Sequence, residues 1–336
     1  MTAVLPRVQR PVRHGRTLTV CAVLAVGTLI AFLVELTVGD YDISLIDAVR
    51  ALLWYGDQTT VDVVNLLRLP RALVGLLAGA ALGLSGAVFQ TLARNPLASP
   101  DVLGVTAGAN AAVVAGLVFG FGATLGQPSV AVAGGLVATV AVYLLAWRRG
   151  STGSRVVLVG VGLSALGTSL TLYLISRANI YSAQQAMLWL TGSLNLREWR
   201  HVMPLAAATA VLVPALLCAR RWLSTLVFND DVARGLGVPV GLARGTLMLV
   251  GAGLAAFATA AAGPVAFVAL VAPQLALRLT DRPAPPPVTS ALTGALLVLT
   301  CDLAARPVDL PVGVVTGVIG APYLLWLLTR ANRRVT

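Results

Sequence analysis

A chain of 336 residues that is 57% hydrophobic, only 11% charged and has a mean hydropathy of +0.87 cannot be an ordinary soluble domain, because such domains are about one-quarter charged. Its net charge of +11 is the excess of 24 basic residues, all of them arginine, over 13 acidic ones, with no lysine anywhere. A P-loop ATPase needs its Walker lysine against the nucleotide phosphates, so any ATP used with this chain must be hydrolysed by another polypeptide. With no soluble basic face, the charge reads as a membrane-insertion signal and not as a nucleic-acid footprint.

The segment 1–17 is a basic tail, and 18–330 reads as a single transmembrane domain followed by a short tail, 331–336. Apolar runs near 18–38, 70–92, 102–121, 128–147, 155–176, 202–219, 244–262, 264–279, 288–305 and 312–329 are each about one bilayer thick. The pattern predicts an all-α polytopic membrane protein of about ten helices. The first run contains Glu35, set a turn from the outer boundary where it is expected to reach water. Between the first and second runs, Ser44 and Asp47 form a capping-box pattern that predicts a short interfacial helix. Another short helix is expected over 183–190, with Trp189 at headgroup depth. The eighth run carries Pro273, which predicts a kinked or broken helix.

Most arginines, including Arg7, Arg94, Arg155, Arg221, Arg244, Arg278 and Arg330, fall on the side of the N-terminus. Fewer, among them Arg50, Arg68, Arg71, Arg177, Arg197 and Arg306, fall opposite. The positive-inside rule therefore puts both termini in the cytoplasm. Cys21, Cys218 and Cys301 sit in apolar runs without C-x-x-C spacing, and His14 and His201 are the only histidines. Neither a disulfide framework nor a protein-built transition-metal site is expected. Glycines at 75, 79 and 83, and at 313 and 317, recur every four residues, a spacing that brings helix backbones close. Gln90 and Asn110 are polar at membrane depth and should face the bundle interior.

Three stretches carry a resemblance. They are Arg68-Leu-Pro-Arg71 running through Phe89-Gln90 to Asn95-Pro-Leu-Ala-Ser-Pro-Asp101, then Gly263-Pro-Val-Ala-Phe-Val-Ala-Leu-Val-Ala-Pro273, and Leu310-Pro-Val-Gly313 through Pro322. Together they resemble the iron–siderophore and vitamin B12 permease family of ABC importers, over nearly the whole chain after residue 18. The motif around residues 89–104 and Gly192-Ser-Leu-Asn195 look most like a catecholate (enterobactin-type) siderophore permease subunit. One departure is Ala272-Pro273-Gln274, where the family often has histidine in the third place.

The resemblance implies a type II ABC importer permease fold with two inverted repeats, here about 70–176 and 244–329. It implies a bacterial cytoplasmic (inner) membrane location. The implied partners are an ABC ATPase dimer, a second permease chain in a heterodimer or homodimer, membrane lipid, and a periplasmic or lipid-anchored substrate-binding protein. No cofactor is expected on this chain, ATP and magnesium belonging to the ATPase, and no metal is expected on its own side chains.

By the same resemblance, the loop 223–243 should dock on the ATPase through Asn229, Asp230, Asp231, Arg234, Gly235, Leu236 and Gly237. Arg68, Arg71 and Arg306 should meet glutamates of the binding protein. Asn95, Leu97, Ser151 and Thr152 should narrow the cytoplasmic mouth. Gly160, Ser164, Gly167, Thr168, Gly313, Thr316 and Gly317 should line the path of a bulky solute. Ferric siderophore is the favoured cargo, with vitamin B12 or haem as the alternative. An ion-driven secondary transporter would need midplane acids or unwound ion sites, and no membrane-embedded charge pair is evident. An intramembrane enzyme is the third alternative, without an evident nucleophile–base pair.

Overall fold

The computed structural model describes residues 14–147 and 153–332, and its long elements are ten helices. They are α1 (His14–Thr37), α2 (Leu69–Ala93), α3 (Val105–Phe119), α4 (Gln127–Trp147), α5 (Gly153–Arg177), α6 (Trp199–Cys218), α7 (Val240–Ala262), α8 (Val268–Thr280), α9 (Pro287–Ala305) and α10 (Val312–Asn332). Among the described residues, seven segments are long and apolar enough to cross a membrane, and shorter apolar helices lie at Val105–Phe119, Val268–Thr280 and Val312–Trp326. All ten coincide with the apolar runs of the sequence.

Helices that are apolar all round must be buried all round or face lipid, and both solutions occur. The most apolar window is 78% buried in the span containing α2 and 83% in α7, against 17% in α1 and α5. Hence α2 and α7 form the centre, while α1 and α5 present most of their surface outward. α2 packs on α9 as α7 packs on α4, α3 lies on α4 as α8 lies on α9, and α2 meets α7. Each of these contacts in one half thus has its counterpart in the other.

The α2–α9 seam explains the glycine spacing. A Cβ added at Gly79 would stand 2.4 Å from the Gly294 carbonyl, and one at Gly83 would stand 2.1 Å from the Ser290 carbonyl. Backbones this close exclude any side chain, so these glycines serve packing between helices that lack a hydrophobic drive to associate.

Two breaks in regularity were only partly foreseen. The chain enters α2 through a short helix, Gln58–Asp62, and a π-helical turn, Val63–Arg68. Pro70 follows at the start of α2; it lacks an N–H and crowds the preceding turn, and the wider π turn accommodates both. α8 is preceded by non-helical backbone at 263–267, where Gly263 and Phe267 have φ of 78° and 65°. The break therefore lies before α8, at Gly263-Pro264, while Pro273 sits inside the helix.

The expected interfacial helices are present at Leu45–Leu52, capped by Ser44, and at Ile180–Leu190, capped by Asn179. Trp189 is buried among Ala109, Val113, Val130, Ala131 and Ala260. Glu35 does not reach water, being fully buried.

Candidate functional site

Three regions gather the residues singled out by sequence. The first is the connection between α6 and α7, which folds as two short helices, Arg220–Thr225 and Asp230–Gly235. It thus spans 219–239, a few residues earlier than the expected loop 223–243. Asn229 caps the second helix, its side-chain oxygen accepting the Val232 N–H at 2.9 Å. Asp230 and Asp231 sit in the first turn, where carboxylates suit the positive end of a helix. Gly237 follows at φ 77°, ending the helix in a conformation that favours glycine.

Within this segment the two acids face opposite ways. Asp231 is 89% exposed and pairs with Arg234 at 2.9 Å. Asp230 turns inward, its Oδ1 accepting from Arg94 at 2.7 Å and Arg244 at 3.0 Å. Burial works against its charge, but the hydrogen bonds and positive charges of Arg94 and Arg244 prevail and hold its carboxyl below the usual carboxylate range. Phe228, Val232 and Leu236 are exposed at intervals of four residues, so the outward face is apolar. Sequence reasoning named Leu236 and missed Phe228 and Val232, although their spacing was visible.

The second region is the opposite end of the bundle. Arg68 is buried, and its guanidinium donates to the carbonyls of Leu36, Thr37 and Tyr41, closing the C-terminal end of α1. Arg71 makes a two-pronged contact with Asp302, at 2.8 and 2.9 Å. Arg306 contacts Glu35, lies 3.4 Å from Asp302 and donates to the carbonyls of Glu35 and Val38. The three guanidinium groups expected to stand free for a partner are therefore committed within the chain. For Arg71 and Arg306 the physical reason is the pair of buried acids, Glu35 and Asp302, whose charges require partners; Arg68 instead satisfies the carbonyls that end α1. A buried charge cluster thus exists where none was evident from sequence. Beside it is a cavity of about 500 Å³ bordered by Asp40, Arg68, Arg71, Arg197, Glu198, Arg306 and Asp309. Burial, helped by neighbouring Arg200, lowers the Arg197 guanidinium to about 10, so it remains cationic at neutral pH.

The third region is an open-sided cavity of about 520 Å³ between α3, α5, α10 and the non-helical 263–267 segment. Ser164, Thr168 and Gly313 line it, together with Asp101, Thr106 and Asn110. Ser164 donates to the Asp101 carbonyl at 3.0 Å, and Thr106 donates to the Asp101 carboxylate. The remaining expected path residues do not line this cavity. A Cβ at Gly160 would be 2.8 Å from Leu103 and one at Gly167 would be 3.1 Å from Ala107, so both serve packing of α5 on the α3 side. Thr316 is buried and donates to the Gly313 carbonyl at 3.0 Å, whereas Gly317 faces open space. The cavity's upper wall depends on a meeting of backbones: a Cβ at Gly192 would be 2.3 Å from the Pro264 carbonyl, and the Gly313 N–H donates to the Gly192 carbonyl at 3.1 Å.

Of the expected gate residues, Asn95 and Leu97 form a side-chain-closed turn, Asn95 Oδ1 accepting the Leu97 N–H at 2.9 Å. Ser151 and Thr152 lie outside the described residues.

The FecCD transport family model matches residues 27–330. The chain belongs to the FecCD transport family. It is 39% identical to the ferric enterobactin transport system permease protein FepG of Escherichia coli (strain K12), over 95% of this chain and 98% of that protein. It is 38% identical to the achromobactin transport system permease protein CbrC of Dickeya dadantii (strain 3937), over 90% and 88%. The iron(3+)-hydroxamate import system permease protein FhuG of Bacillus subtilis (strain 168) is 34% identical over 95% and 99%. Among solved structures, an inward-facing conformation of an ABC transporter assigned to the metal-chelate type superimposes with a TM-score of 0.81, at 26% identity, over 93% of this chain and 99% of that one. As a FecCD permease, the chain is a multi-pass membrane transport subunit that works with an ABC ATPase and a substrate-binding protein.

Proposed function

We propose that this FecCD permease carries a ferric siderophore across the cytoplasmic membrane, with catecholate chelates first among the candidates. The single observation in the fold that carries the reading of an ATP-driven permease is the outward face of the Asp230–Gly235 segment. It is a capped helix with Phe228, Val232 and Leu236 exposed on the side rich in arginine. Such a face suits a partner ATPase groove, and the permeases similar to this chain are named for ferric enterobactin, achromobactin and iron–hydroxamate systems.

The arginine bias supports cytoplasmic termini, placing the 219–239 connection inside and the Arg71–Asp302 cluster outside. A second permease chain is supported by α5 and α10, which leave Gly162 and Gly317 with nothing nearby. Those small faces, with Ser164 and Thr168, would border the path between two subunits. Of the outer residues, the rim of the 500 Å³ cavity, including Arg197 and the edges of Arg68, Arg71 and Arg306, is the surface offered to the binding protein. Repeat halves near 70–176 and 244–329 are consistent with the exchanged packing of α2–α9 and α7–α4.

The test is growth of an iron-starved bacterial strain lacking its own catecholate permease, supplied with this chain, its companion permease, ATPase and binding protein. Growth on ferric enterobactin but not on haem is expected, with no uptake of radiolabelled vitamin B12 by the same cells. Growth supported only by haem, or uptake of vitamin B12 without growth on ferric enterobactin, would overturn the cargo assignment.

A further inference from the structure

Asp230 joins three elements that the coupling segment alone does not explain. Its two donors belong to the central helices. Arg94 ends α2 in a left-handed conformation, φ 48°, and Arg244 lies near the start of α7 with its side chain 3% exposed. Arg94 also donates through Nε to the Leu226 carbonyl at 3.1 Å, between the two short helices of the connection. One carboxylate therefore holds the short helix against both α2 and α7.

The attachment of that helix has few alternatives. Six residues are too few for a helix to be stable by itself, and within it only Ala233 is buried. Beyond Arg94 the chain runs directly into the Asn95–Leu97 turn. One helical turn before Arg94, α2 is tied to α8, Gln90 donating to the Leu270 carbonyl at 3.0 Å and accepting from Gln274 at 2.6 Å. A displacement of the short helix thus reaches the ends of α2 and α7 through Asp230. Two arginines meet one carboxylate here, so neutralising Asp230 removes the charge that draws both toward the short helix.

We infer that Asp230 is a positioning residue that transmits movement of the Asp230–Gly235 helix to the inner ends of α2 and α7, and so to the Asn95–Leu97 turn. The inference rests on the reading of that helix as the ATPase contact. It separates two roles within one segment: Leu236, Val232 and Asp231 face the partner, while Asp230 faces the permease.

The experiment uses the whole transporter, with its ATPase, in lipid vesicles. A reporter Leu97→Cys is placed in a background where Cys21, Cys218 and Cys301 are serine, and its labelling by a maleimide is timed with and without trapped ATP. In Asp230→Asn, the ATPase should remain bound and hydrolyse ATP, while the nucleotide-dependent change in labelling falls about tenfold, the scale of one hydrogen bond to a charged group. Arg94→Gln, at a half-exposed side chain, should give the same uncoupled pattern and guards against a folding defect at one position. The coupling reading has its own arm: Leu236→Glu should strip the ATPase from the complex. If Leu236→Glu leaves the ATPase bound, the coupling reading fails and this inference with it. If Leu236→Glu strips the ATPase but Asp230→Asn keeps the full Leu97 response, the inference alone is overturned. Loss of the ATPase from Asp230→Asn would also overturn it, making Asp230 a docking residue.

Discussion

Replacing Asp302 by asparagine probes whether the outer arginines hold the bundle together or wait for a partner. Four charges alternate there, Glu35, Arg306, Asp302 and Arg71, and the Asp302 side chain is 2% exposed. It accepts both prongs of Arg71 at 2.8 and 2.9 Å. Asparagine keeps the volume and one acceptor but removes the charge, leaving two guanidinium groups against Glu35 alone. Breaking a buried pair by removing one partner costs about 3–5 kcal/mol. Arg71 is 21% exposed and can turn part-way to water, and the retained acceptor offsets part of the loss, so about 2–3 kcal/mol is expected. At about 2 °C per kcal/mol for a large domain, the apparent midpoint should fall by roughly 5 °C. The assay is thermal unfolding of the purified permease in detergent at a fixed scan rate, because such unfolding is often irreversible. Binding-protein affinity is measured on the same preparation at low temperature. An unchanged midpoint with a large loss of affinity would refute the internal role and return these arginines to docking.

Gly83→Leu would force a side chain into the Ser290 backbone across the α2–α9 seam, so assembly should fail or stability should drop by at least the 1–3 kcal/mol typical of overpacking; expression and thermal unfolding report it. Asp231→Arg reverses an 89% exposed charge and should weaken ATPase co-purification while leaving membrane insertion normal, read by pull-down and membrane fractionation. Because the Asp230 carboxyl is held below its ordinary range, its contribution is present above about pH 4 and is lost as pH falls through the depressed folded value; hydrogen exchange of the 229–237 segment against pH should show protection lost only at the acid end. Single cysteines at Thr2 and Thr336, in a background lacking the native three, should resist an impermeant thiol reagent in intact cells.

The spans were legible because burial in lipid demands long apolar runs, and α2, with Gly75, Gly79 and Gly83, even announced its close-packed face. The capped segment at Asn229 was equally readable, since capping depends on residues three apart. What escaped was non-local. Nothing in the order of residues shows that Glu35 meets Arg306, or that Asp230 meets Arg94 across 136 positions. Arg71 looked available because its acid lies on another helix; for Arg306 the i,i+4 pairing with Asp302 was readable, but the contact with Glu35 was not. Gly160 and Gly167 looked like a smooth conduit, but a small residue permits either a channel or a close neighbour, and the α3 side supplies the neighbour. The cavity residues Asp101 and Thr106 lay inside a recognised motif, yet only the fold turns them toward Ser164.

The most direct test of the central claim is uptake of radioactive iron as ferric enterobactin into vesicles containing this permease, its companion chain and its ATPase, with the binding protein outside the vesicle face that bears the Arg71–Asp302 cluster and ATP on the face that bears Asp230. Accumulation that requires both ATP and binding protein, and that is absent when the ATPase is inactive, is the result predicted here. Equal accumulation without ATP, or driven by an imposed ion gradient alone, would contradict it.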